Sequence, residues 1–497
     1  MSVIPGITND NSAHFELSTI GSDSKNITTV KVPRYLEWRV EIPFLVILKI
    51  VVSKGIAEIY GTELPVSVDM QFSGCNICLY APEADGFVVE YSTATKSSSS
   101  VTENHEISEY ISEESIMNQV TNLHFLLELF RQRAEENNEI HPERPQIGPK
   151  VLVIGGADTG KTTLVRTLAA YANKMERCPV MVNLDPKEGV FALPGSLSAT
   201  PISDAFDVEG TNGWGGTPTS GITYHNPKQP IVKNFGFEKI NDNLDLFKYQ
   251  STQLALSTMS RTEQDSSIKS SGILIDTPTF SIKDSTLIEN IVSDFEVNIM
   301  VVIGNERLLN DLKKKFKRKL DSKQLHVLKM PKSGGVVEVD DTFVRNIQQQ
   351  TIKEYFYGNW RCTLSPYNTV VDMKDVIIYK CVEAGEANSN LAFLPSGSYA
   401  PEDLDPSDST TSNDLVLEKY YTKITEPNAS ILNNSILAIT QVSQNDKQEK
   451  KLLNTSVRGY AYVSDVDDTK GKMRILLPVP GTLPRNILIL TGIRYIE

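Results

Sequence analysis

Residues 151–163 read Val-Leu-Val-Ile-Gly-Gly-Ala-Asp-Thr-Gly-Lys-Thr-Thr, and this stretch decides the fold of the middle of the chain. Its four leading apolar residues predict a buried strand, and a helical pattern begins at Lys161. The loop between them completes the pattern G-x-x-x-x-G-K-T in its expected context of strand, loop and helix. It predicts a phosphate-binding loop, because glycines let the backbone approach phosphate and a helix N-terminus offers free N–H groups. The alternative is an ordinary glycine turn before a helix.

The residues of this loop have separate predicted roles. Lys161 is expected to neutralise the charge of the β- and γ-phosphates, and the Thr162 hydroxyl is expected to bind Mg²⁺. Backbone N–H groups supply the remaining contacts. We predict that the nucleotide is bound by Gly155, Asp158, Thr159, Gly160, Lys161, Thr162 and Thr163.

Two aspartates occupy positions where a nucleotide-binding enzyme needs carboxylates. Asp185 ends the run Val-Met-Val-Asn-Leu-Asp, and Asp276 ends Ile-Leu-Ile-Asp. A carboxylate at the end of such a strand can hold Mg²⁺ or its water, or act as a base toward a phosphate acceptor. Both are therefore predicted metal-site residues, and Asp185 is also the candidate base. The alternative is that one of them only caps the following turn, which the Asp185-Pro186 dipeptide favours.

The composition is typical of a globular protein. The 497 residues are enough for about three domains, and 40% are hydrophobic. The 62 acidic residues outnumber 49 basic ones, and the formal net charge of −13 argues against a protein that coats nucleic-acid phosphates. No apolar run has the length of a membrane span, and the first residues lack the apolar segment of a signal peptide, so we expect neither. Five scattered cysteines favour a reducing compartment.

The first part of the chain has the pattern of a small β-sandwich. Short apolar runs such as Trp38–Ile42, Leu48–Val52 and Phe87–Tyr91 are separated by glycines. Residues 92–105 are of low complexity and predict a flexible loop. Helical periodicity from Ile111 to about Glu136 then predicts a helix that leads into the central domain.

Beyond residue 150, predicted strands and helices alternate, which indicates a parallel α/β sheet. The long insertion 186–271 is rich in Gly, Pro, Ser and Thr. Two of its segments, 194–201 and 214–221, are expected to be loops over the mouth of the site rather than core. The strands predicted for the sheet are Val151–Ile154, Val180–Leu184, Gly272–Ile275, Asn298–Ile303 and His326–Lys329.

The last third of the chain changes in character. Glu306–Leu320 is predicted to be an amphipathic helix with lysines on its outer face. A solvated face is the simpler interpretation, and a surface for RNA or an acidic partner is the alternative. After about Ser365 the alternation stops, and runs such as Thr369–Met373 and Asn486–Leu490 predict a β-rich domain. Residues 384–414, polar and acidic, predict a disordered insertion within it.

A set of motifs spread over nearly the whole chain carries a family resemblance. The motifs are Gly55–Leu64, Gly155–Thr163, Asn183–Pro186, Pro331–Glu338, Ile352–Gly358 and Leu476–Gly481. Together they resemble the eukaryotic polynucleotide 5′-hydroxyl-kinase family, most closely its fungal branch, the ATP-binding subunit of cleavage factor IA in pre-mRNA 3′-end processing. The resemblance implies ATP as the nucleotide and a nuclear location. It also implies protein partners in cleavage factor IA and in the cleavage and polyadenylation complex, with no membrane.

The resemblance also implies an α/β fold in three domains. Residues 1–115 would be an N-terminal β-domain on the adenine side, residues 116–363 a P-loop domain with its leading helix, and residues 364–497 a small β-rich domain. Adenine contacts are implied at Glu37 and Asn76. The alternative at Glu37 is a plain surface acid, and the family more often has a lysine at the position of Asn76.

The chain departs from active members of this family at the acceptor and lid positions. In active RNA kinases an arginine-rich segment covers the transferring phosphoryl group, whereas residues 339–352 here contain Arg345 alone, with glutamines at 348–350. Active members also have a tryptophan that clasps the RNA base, and Phe280 takes its place here. The nucleotide-binding motif is therefore kept, while features that serve phosphoryl transfer are reduced.

These observations favour a nucleotide-binding interaction subunit over an enzyme. In this hypothesis the chain holds ATP and Mg²⁺ as a largely structural ligand and bridges partner proteins. The second hypothesis is an active RNA 5′-hydroxyl kinase, in which Lys353 or Arg361 supplies the missing charge. The third is a P-loop ATPase that cycles between shapes. Direct contact with RNA stays open in all three.

Overall fold

The structure, a computed structural model, describes residues 18–20, 27–95, 106–210, 230–384, 417, 419–446 and 451–496. The predicted segment 214–221 and nearly all of 384–414 lie outside these residues. The chain divides into two units, residues 1–59 with 63–114 and residues 60–62 with 115–497. Within the described part, no helix combines the length and the apolar character that crossing a bilayer requires.

The N-terminal part is a β-sandwich, as predicted. Along the strand Val46–Gly55, buried residues alternate with partly exposed ones up to Val52, and Leu48, Ile50 and Val52 are at most 1% exposed. The strands are β1 Ser18–Ile20, β2 Ile27–Val32, β3 Glu37–Ile42, β4 Val46–Gly55, β5 Glu58–Ile59, β6 Thr62–Glu63, β7 Met70–Phe72, β8 Cys75–Tyr80, β9 Phe87–Thr95 and β10 Ser108–Ile111. They form two five-stranded sheets with the orders β1-β2-β9-β4-β7 and β10-β3-β8-β5-β6.

The second unit is built around a seven-stranded, mostly parallel sheet. Its strands are β11 Lys150–Gly155, β12 Val180–Asn183, β13 Ser196–Pro201, β14 Ile231–Asn234, β15 Ile273–Asp276, β16 Ile299–Ile303 and β17 His326–Met330. The helices around it are α1 Met117–Ile140, α2 Lys161–Lys174, α3 Leu244–Gln264, α4 Ser266–Lys269, α5 Ser285–Asp294, α6 Glu306–Lys315, α7 Lys317–Asp321 and α8 Asp341–Tyr357.

The strand order is β14-β13-β12-β15-β11-β16-β17, so β11 lies in the interior of the sheet. Residues 151–154 of β11 are fully buried, as expected of a strand in a parallel sheet that is covered on both faces. The five predicted strands are present, with ends that move by one residue at most. Parallel pairing of β12 with β15 puts Asn183 opposite Asp276, which brings the predicted carboxylates to one edge of the sheet.

The prediction that residues 194–201 form a loop is wrong. They contain β13, which is buried throughout and pairs antiparallel with both β12 and β14. The serines of this strand are tolerated in the core because their hydroxyls are bonded: Ser196 lies 2.5 Å from the Tyr460 hydroxyl, and Ser198 donates to the Val190 carbonyl. The insertion therefore extends the sheet, and it also contributes the long helix α3.

Two predicted helices have different ends from those expected. The helix placed from Ile111 starts at Met117, because Ile111 belongs to β10 and pairs with Trp38. The helix placed at 306–320 breaks at Phe316, whose side chain turns into the core at 5% exposure and separates α6 from α7. On its lysine-rich face, Lys315 pairs with Glu289 at 2.9 Å. The role of this face stays open.

The C-terminal part is β-rich, as predicted. Its strands are β18 Tyr367–Asp372, β19 Ile378–Cys381, β20 Tyr421–Lys423, β21 Ser435–Ser443, β22 Val457–Asp467, β23 Lys472–Leu477 and β24 Asn486–Arg494, with short helices α9 Ala429–Leu432 and α10 Lys451–Asn454. The order is β18-β23-β22-β21-β24-β19-β20, and only β19 and β24 pair in parallel among these described strands. One hydrophobic cluster runs from the central sheet into this one.

Candidate nucleotide-binding site

The loop between β11 and α2 has the backbone shape that its glycines predict. A Cβ on Gly155 would lie 2.5 Å from Thr159 Oγ1, so a larger residue would displace that side chain. Gly160 is the N-cap of α2 and has a φ of 82°, a left-handed conformation that glycine adopts without strain. Asp158 also has a positive φ, 47°. The start of α2 has no side-chain cap in the described chain, which leaves its N–H groups available to an anion.

Lys161 is held against this loop. Its side chain is 8% exposed, and its Nζ donates to the Gly156 carbonyl at 2.8 Å. Thr159 Oγ1 donates to the same carbonyl at 3.1 Å. An ammonium group has three donors, so this bond leaves two for phosphate oxygens. The geometry therefore fits the predicted role of Lys161.

Thr162 and Asp276 are in direct contact. Thr162 Oγ1 donates to Asp276 Oδ2 at 2.6 Å, and the other carboxylate oxygen accepts from the Thr277 N–H at 3.0 Å. Asp276 is completely buried at the end of β15, and burial raises its pKa to about 6 against the opposing effects of the Thr162 hydroxyl and the Lys161 charge. A hydroxyl and a carboxylate in contact are two oxygen ligands of the kind that Mg²⁺ prefers.

Asp185 lies beside this pair but has a bond of its own. Its Oδ1 accepts from the Lys187 N–H at 3.0 Å, which is the turn-capping interaction that its sequence context favours. Burial raises the pKa of its carboxyl group, while the Lys187 N–H and the charge of Lys161 lower it. One carboxylate oxygen therefore has a structural role, and the other remains for a water or metal contact.

Glu188 is a third carboxylate at the site, and it was not predicted from the sequence. It forms a hydrogen bond with Thr162, and burial together with the charges of Asp276 and Asp185 raises its pKa to about 8. The available signal was its position three residues after Asp185 in a tight turn, where the two side chains are brought to the same place. A short turn has no periodicity, so the hydrophobic pattern gave no reason to select it.

The residues present fit a Mg²⁺ ion that is bound together with a nucleotide. No group of three or more His, Cys, Asp or Glu side chains in the described ranges has the arrangement of a metal site made by protein alone. Mg²⁺ usually takes one or two carboxylates, with phosphate oxygens and waters completing its octahedron. Thr162 and Asp276 would be its nearest protein groups, and the ion would neutralise charge on the phosphates.

The predicted acceptor position has no surface for a base. Phe280 is 1% exposed and packs within the main hydrophobic cluster, and its N–H donates to the Gly155 carbonyl at 3.4 Å. The neighbouring Phe235 and Phe237 are also buried, and their rings make an edge-on contact with centroids 5.5 Å apart. Phe280 is therefore part of the core beneath the sheet end and is bonded to the P-loop through its N–H, and its ring is not exposed for stacking on a nucleic-acid base.

The cations near the predicted lid are either exposed or already paired. Arg345 and Lys353 are exposed on α8. Arg361 forms an ion pair with Glu209 and stacks on Trp360, with its guanidinium carbon 4.4 Å from the ring centroid. Arg361 is thus engaged, which weakens the hypothesis that it replaces the missing lid arginines.

The two predicted adenine contacts lie on adjacent strands of the N-terminal part. Glu37 is 3% exposed, so it is not a plain surface acid, and its Oε2 accepts from the Arg39 guanidinium at 2.7 and 2.9 Å. Its backbone N–H and carbonyl both bond to Ser112. Asn76 is half-buried on β8 and lies opposite Glu41, not Glu37. Their contact with adenine stays a prediction.

Three family models match successive parts of the chain. Residues 31–134 match the N-terminal beta-sandwich domain of polyadenylation factor, residues 155–358 match the P-loop of mRNA cleavage and polyadenylation factor CLP1, and residues 364–497 match pre-mRNA cleavage complex II protein Clp1. The match at 155–358 begins at the first glycine of the P-loop, and a P-loop domain implies nucleotide binding.

Curated relatives match over 94–100% of the chain. The chain is 54% identical to the mRNA cleavage and polyadenylation factor CLP1 of Debaryomyces hansenii, with 100% of each chain covered. Identity is 48% to that of Candida albicans, with 94% and 96% covered, and 34% to that of Saccharomyces cerevisiae, with 100% of each covered.

Two solved structures have the same fold. One, a wild-type Clp1p–Pcf11p complex, aligns with a TM-score of 0.78 at 31% identity over 95% of this chain and 99% of that chain. The other, which describes an extended interface between Pcf11p and Clp1p and the loss of ATP in a glycine-to-arginine point mutant, aligns at 0.77 and 31% over 96% and 100%. With these matches over its whole length, the chain belongs to the CLP1 family of mRNA cleavage and polyadenylation factors.

Proposed function

We propose that this chain is an ATP-binding subunit of the mRNA cleavage and polyadenylation machinery in the nucleus. It holds ATP with Mg²⁺ as a largely structural ligand and bridges partner proteins. The observation that carries this proposal is a contrast within one site. Lys161, Thr162 and Asp276 are arranged to hold phosphate and metal, while the lid positions lack the charge that phosphoryl transfer needs.

Nucleotide binding is supported by three features that act on the same phosphates. The N–H groups at the start of α2 are available to an anion, Lys161 has two remaining donors, and Thr162 with Asp276 offers oxygen ligands to Mg²⁺. The identity of the base is supported by the solved relative whose point mutant loses ATP. ATP is therefore the proposed nucleotide.

Slow or absent turnover is supported by the missing charge stabilisation. Transfer of a γ-phosphoryl group depends mostly on positioning and on cations aimed at the transferring oxygens. Arg345 is exposed, Arg361 is paired with Glu209, and Phe280 is buried in the core. ATP bound in such a site has neither a positioned acceptor nor a catalytic arginine. It would therefore stabilise the fold by binding and would not be converted to product.

The role as a protein bridge is supported by the relatives. A Clp1p with 31% identity to this chain was solved with Pcf11p, and both structures cover almost the whole chain. We infer that this chain binds a Pcf11-type partner and enters the cleavage and polyadenylation complex through it.

The test is the fate of bound ATP. The purified protein is loaded with ATP and Mg²⁺, freed of excess nucleotide by gel filtration and incubated for hours, and the nucleotide released by denaturation is separated by ion-exchange chromatography. We expect about one ATP per chain, with little ADP. A Lys161→Ala protein prepared in the same way should elute without nucleotide. Steady accumulation of ADP in the wild-type protein would show that the ligand is a substrate and would overturn the structural role.

A further inference from the structure

Gln348 joins helix α8 to the segment that carries Asp185. Its side-chain amide is 4% exposed and donates to the Lys187 carbonyl at 3.1 Å. The N–H of the same Lys187 donates to Asp185 Oδ1 at 3.0 Å. The peptide groups on the two sides of Lys187 are therefore fixed by α8 and by the candidate metal-site carboxylate.

Gln349, the next residue, joins α8 to the end of the chain. Its Nε2 donates to the Arg494 carbonyl at 2.8 Å, and its Oε1 accepts from the Ile496 N–H at 3.1 Å. The primary amide thus pairs with two main-chain groups, as a neighbouring strand would. Further along the helix, the Tyr355 hydroxyl accepts from the buried N–H of Tyr460 at 2.9 Å. Two positions of α8, Gln349 and Tyr355, are consequently bonded to the C-terminal sheet.

The segment that leads into α8 lies on the P-loop. A Cβ on Gly160 would be 3.5 Å from Val336 Cγ2, which is van der Waals contact. Segment 331–340 then enters α8 directly, and its last residue, Asp340, caps the helix by accepting from the Phe343 N–H at 2.7 Å. The segment is short and ends in a fixed helix, so it has little room to lift from the P-loop while α8 keeps its place.

We propose that Gln348 and Gln349 are positioning residues that hold α8, and with it segment 331–340, closed on the P-loop, so that they set the rate at which nucleotide exchanges. This inference rests on the proposed function, since a chain that held no nucleotide would have no exchange to slow. In this proposal the glutamines have a different role from the arginines of active relatives. They slow the release of the nucleotide by holding α8 in place, and they do not stabilise transfer of the γ-phosphoryl group.

The proposal predicts a kinetic effect more than a change in affinity. The side-chain hydrogen bonds of the two glutamines go to Lys187, Arg494 and Ile496, none of which we place on the phosphates. Weakening the closure helps nucleotide to enter as well as to leave. Loss of a hydrogen bond is worth about 1 kcal/mol, so a variant that opens more easily should exchange about five- to tenfold faster in both directions.

The experiment follows a fluorescent N-methylanthraniloyl-ATP with Mg²⁺ by stopped flow, both on mixing and on displacement by excess ATP. Gln348→Ala and Gln349→Ala should each raise the association and dissociation rate constants about five- to tenfold, with Kd changed by less than about threefold. Gln349→Glu keeps the acceptor for the Ile496 N–H but replaces the donor to the Arg494 carbonyl by a carboxylate oxygen that repels it, so its rates should rise at least as much as those of Gln349→Ala. The matched control is Gln350→Ala, because the Gln350 amide lies 3.5 Å from Glu354 of the same helix.

Each outcome separates the two proposals. If wild-type protein retains nucleotide and both alanine variants exchange at the wild-type rate, the inference is wrong and the proposed function stands. Equal acceleration in Gln350→Ala would also contradict it, since the effect would then belong to the helix surface. If the wild-type protein binds no nucleotide, the proposed function fails first. The melting temperature without nucleotide is recorded for every variant, and a variant that is not folded at the assay temperature is replaced by Gln349→Glu.

Discussion

The P-loop and helix α8 use their polar side chains in different ways. In the P-loop, Lys161 and Thr162 bond to groups of the site itself, the Gly156 carbonyl and the Asp276 carboxylate, and both bonds can yield to phosphate or metal. In α8, Gln348 and Gln349 bond to main-chain groups of distant segments. The first arrangement is ready to receive a ligand, and the second is part of the architecture. The P-loop therefore keeps groups that can bind a ligand, whereas the glutamines of α8 serve to hold the helix in place.

The largest expected effect is on RNA phosphorylation. An arginine aimed at the transferring group is worth about 10³–10⁵ in rate, or roughly 4–7 kcal/mol of barrier. Glutamine offers a dipole without charge, and the buried Phe280 cannot orient an acceptor. We expect transfer of labelled γ-phosphate from ATP to a 5′-hydroxyl oligoribonucleotide to be at least about 10³-fold below the ~1 per second of slow kinases. Turnover near that value, lost on Asp185→Ala, would erase the contrast between the two regions and favour the kinase hypothesis.

The next effect is on ATP affinity. The double variant Lys161→Ala/Thr162→Ala removes the main counter-charge to the phosphates and a predicted Mg²⁺ ligand. We expect ATP affinity, measured by calorimetry in the presence of Mg²⁺, to fall by about 100-fold or more, since each lost charged hydrogen bond is worth about 1.5–3 kcal/mol. ATP at 100 times its Kd stabilises a protein by about 2.7 kcal/mol, so the rise in melting temperature on adding ATP should also disappear.

The matched control for this experiment is Lys313→Ala, which removes a lysine from the exposed face of α6. Its ATP affinity should equal that of the wild-type protein. Unchanged affinity in the double variant itself would show that the P-loop is not the main binding element. The P-loop and α8 would then not differ in their part in ligand binding.

Strands with a continuous apolar pattern could be predicted from the sequence, whereas a strand that depends on hydrogen bonds to distant residues could not. Residues 151–154 are apolar without interruption, and such a run in a parallel sheet is recognisable by itself. Residues 196–201 are rich in Ser, Thr and Pro, yet they form a buried strand in which the hydroxyls of Ser196 and Ser198 are bonded to Tyr460 and Val190. The partner of Ser196 lies 264 positions away along the chain, so no local window of sequence contains it.

The same distinction applies within the candidate site. The contact of Thr162 with Asp276 follows from two motifs whose strands are adjacent in the sheet, and it could be predicted. The place of Glu188 depends on the path of a turn, and the partners of Gln349 lie 145 and 147 residues further along the chain. The sequence shows that segment 339–352 has a single arginine, Arg345, whereas the main-chain partners of its glutamines could not be predicted from it.

A smaller effect is expected at Glu37, which tests whether nucleotide binding extends beyond the phosphates. The backbone groups of Glu37 are bonded to Ser112, so an adenine contact falls mainly to its carboxylate. Glu37→Gln should lower ATP affinity about tenfold, as loss of a charge-assisted hydrogen bond predicts. The triphosphate alone should bind equally well to both proteins. Glu41→Gln on the same strand is the control. Equal loss for ATP and triphosphate would indicate a general effect through the Arg39 ion pair instead.

The smallest effect is a pH dependence of the free energy of unfolding, and it comes from His124 on α1, which packs against α2. His124 on α1 is 5% exposed, and its ring lies 5.5 Å from the ring of Tyr171 on α2, the helix that starts at Lys161. Burial, and then the charge of Arg131, lowers the pKa of His124 from 6.5 to about 4, with Glu128 opposing. The unfolded chain therefore binds more protons between pH 6.5 and about 4. The contribution of neutral His124 is complete above pH 6.5 and is lost as the pH falls through that interval.

The shift sets an upper limit of about 3 kcal/mol, which partial solvent screening reduces to about 1–2 kcal/mol. Between pH 7 and pH 5 the wild-type protein should lose about 1 °C of melting temperature more than His124→Phe, which keeps an aromatic ring against Tyr171 but has no proton to gain. Other groups that titrate in this range contribute to both proteins and cancel in the difference. Hydrogen exchange should locate the loss in α1 and α2 and leave α8 unchanged, because its bonds through Gln348 and Gln349 involve no titrating group. An equal loss in both proteins would show that His124 is not the responsible group, and loosening of α8 together with α2 would show that the two regions do not respond separately.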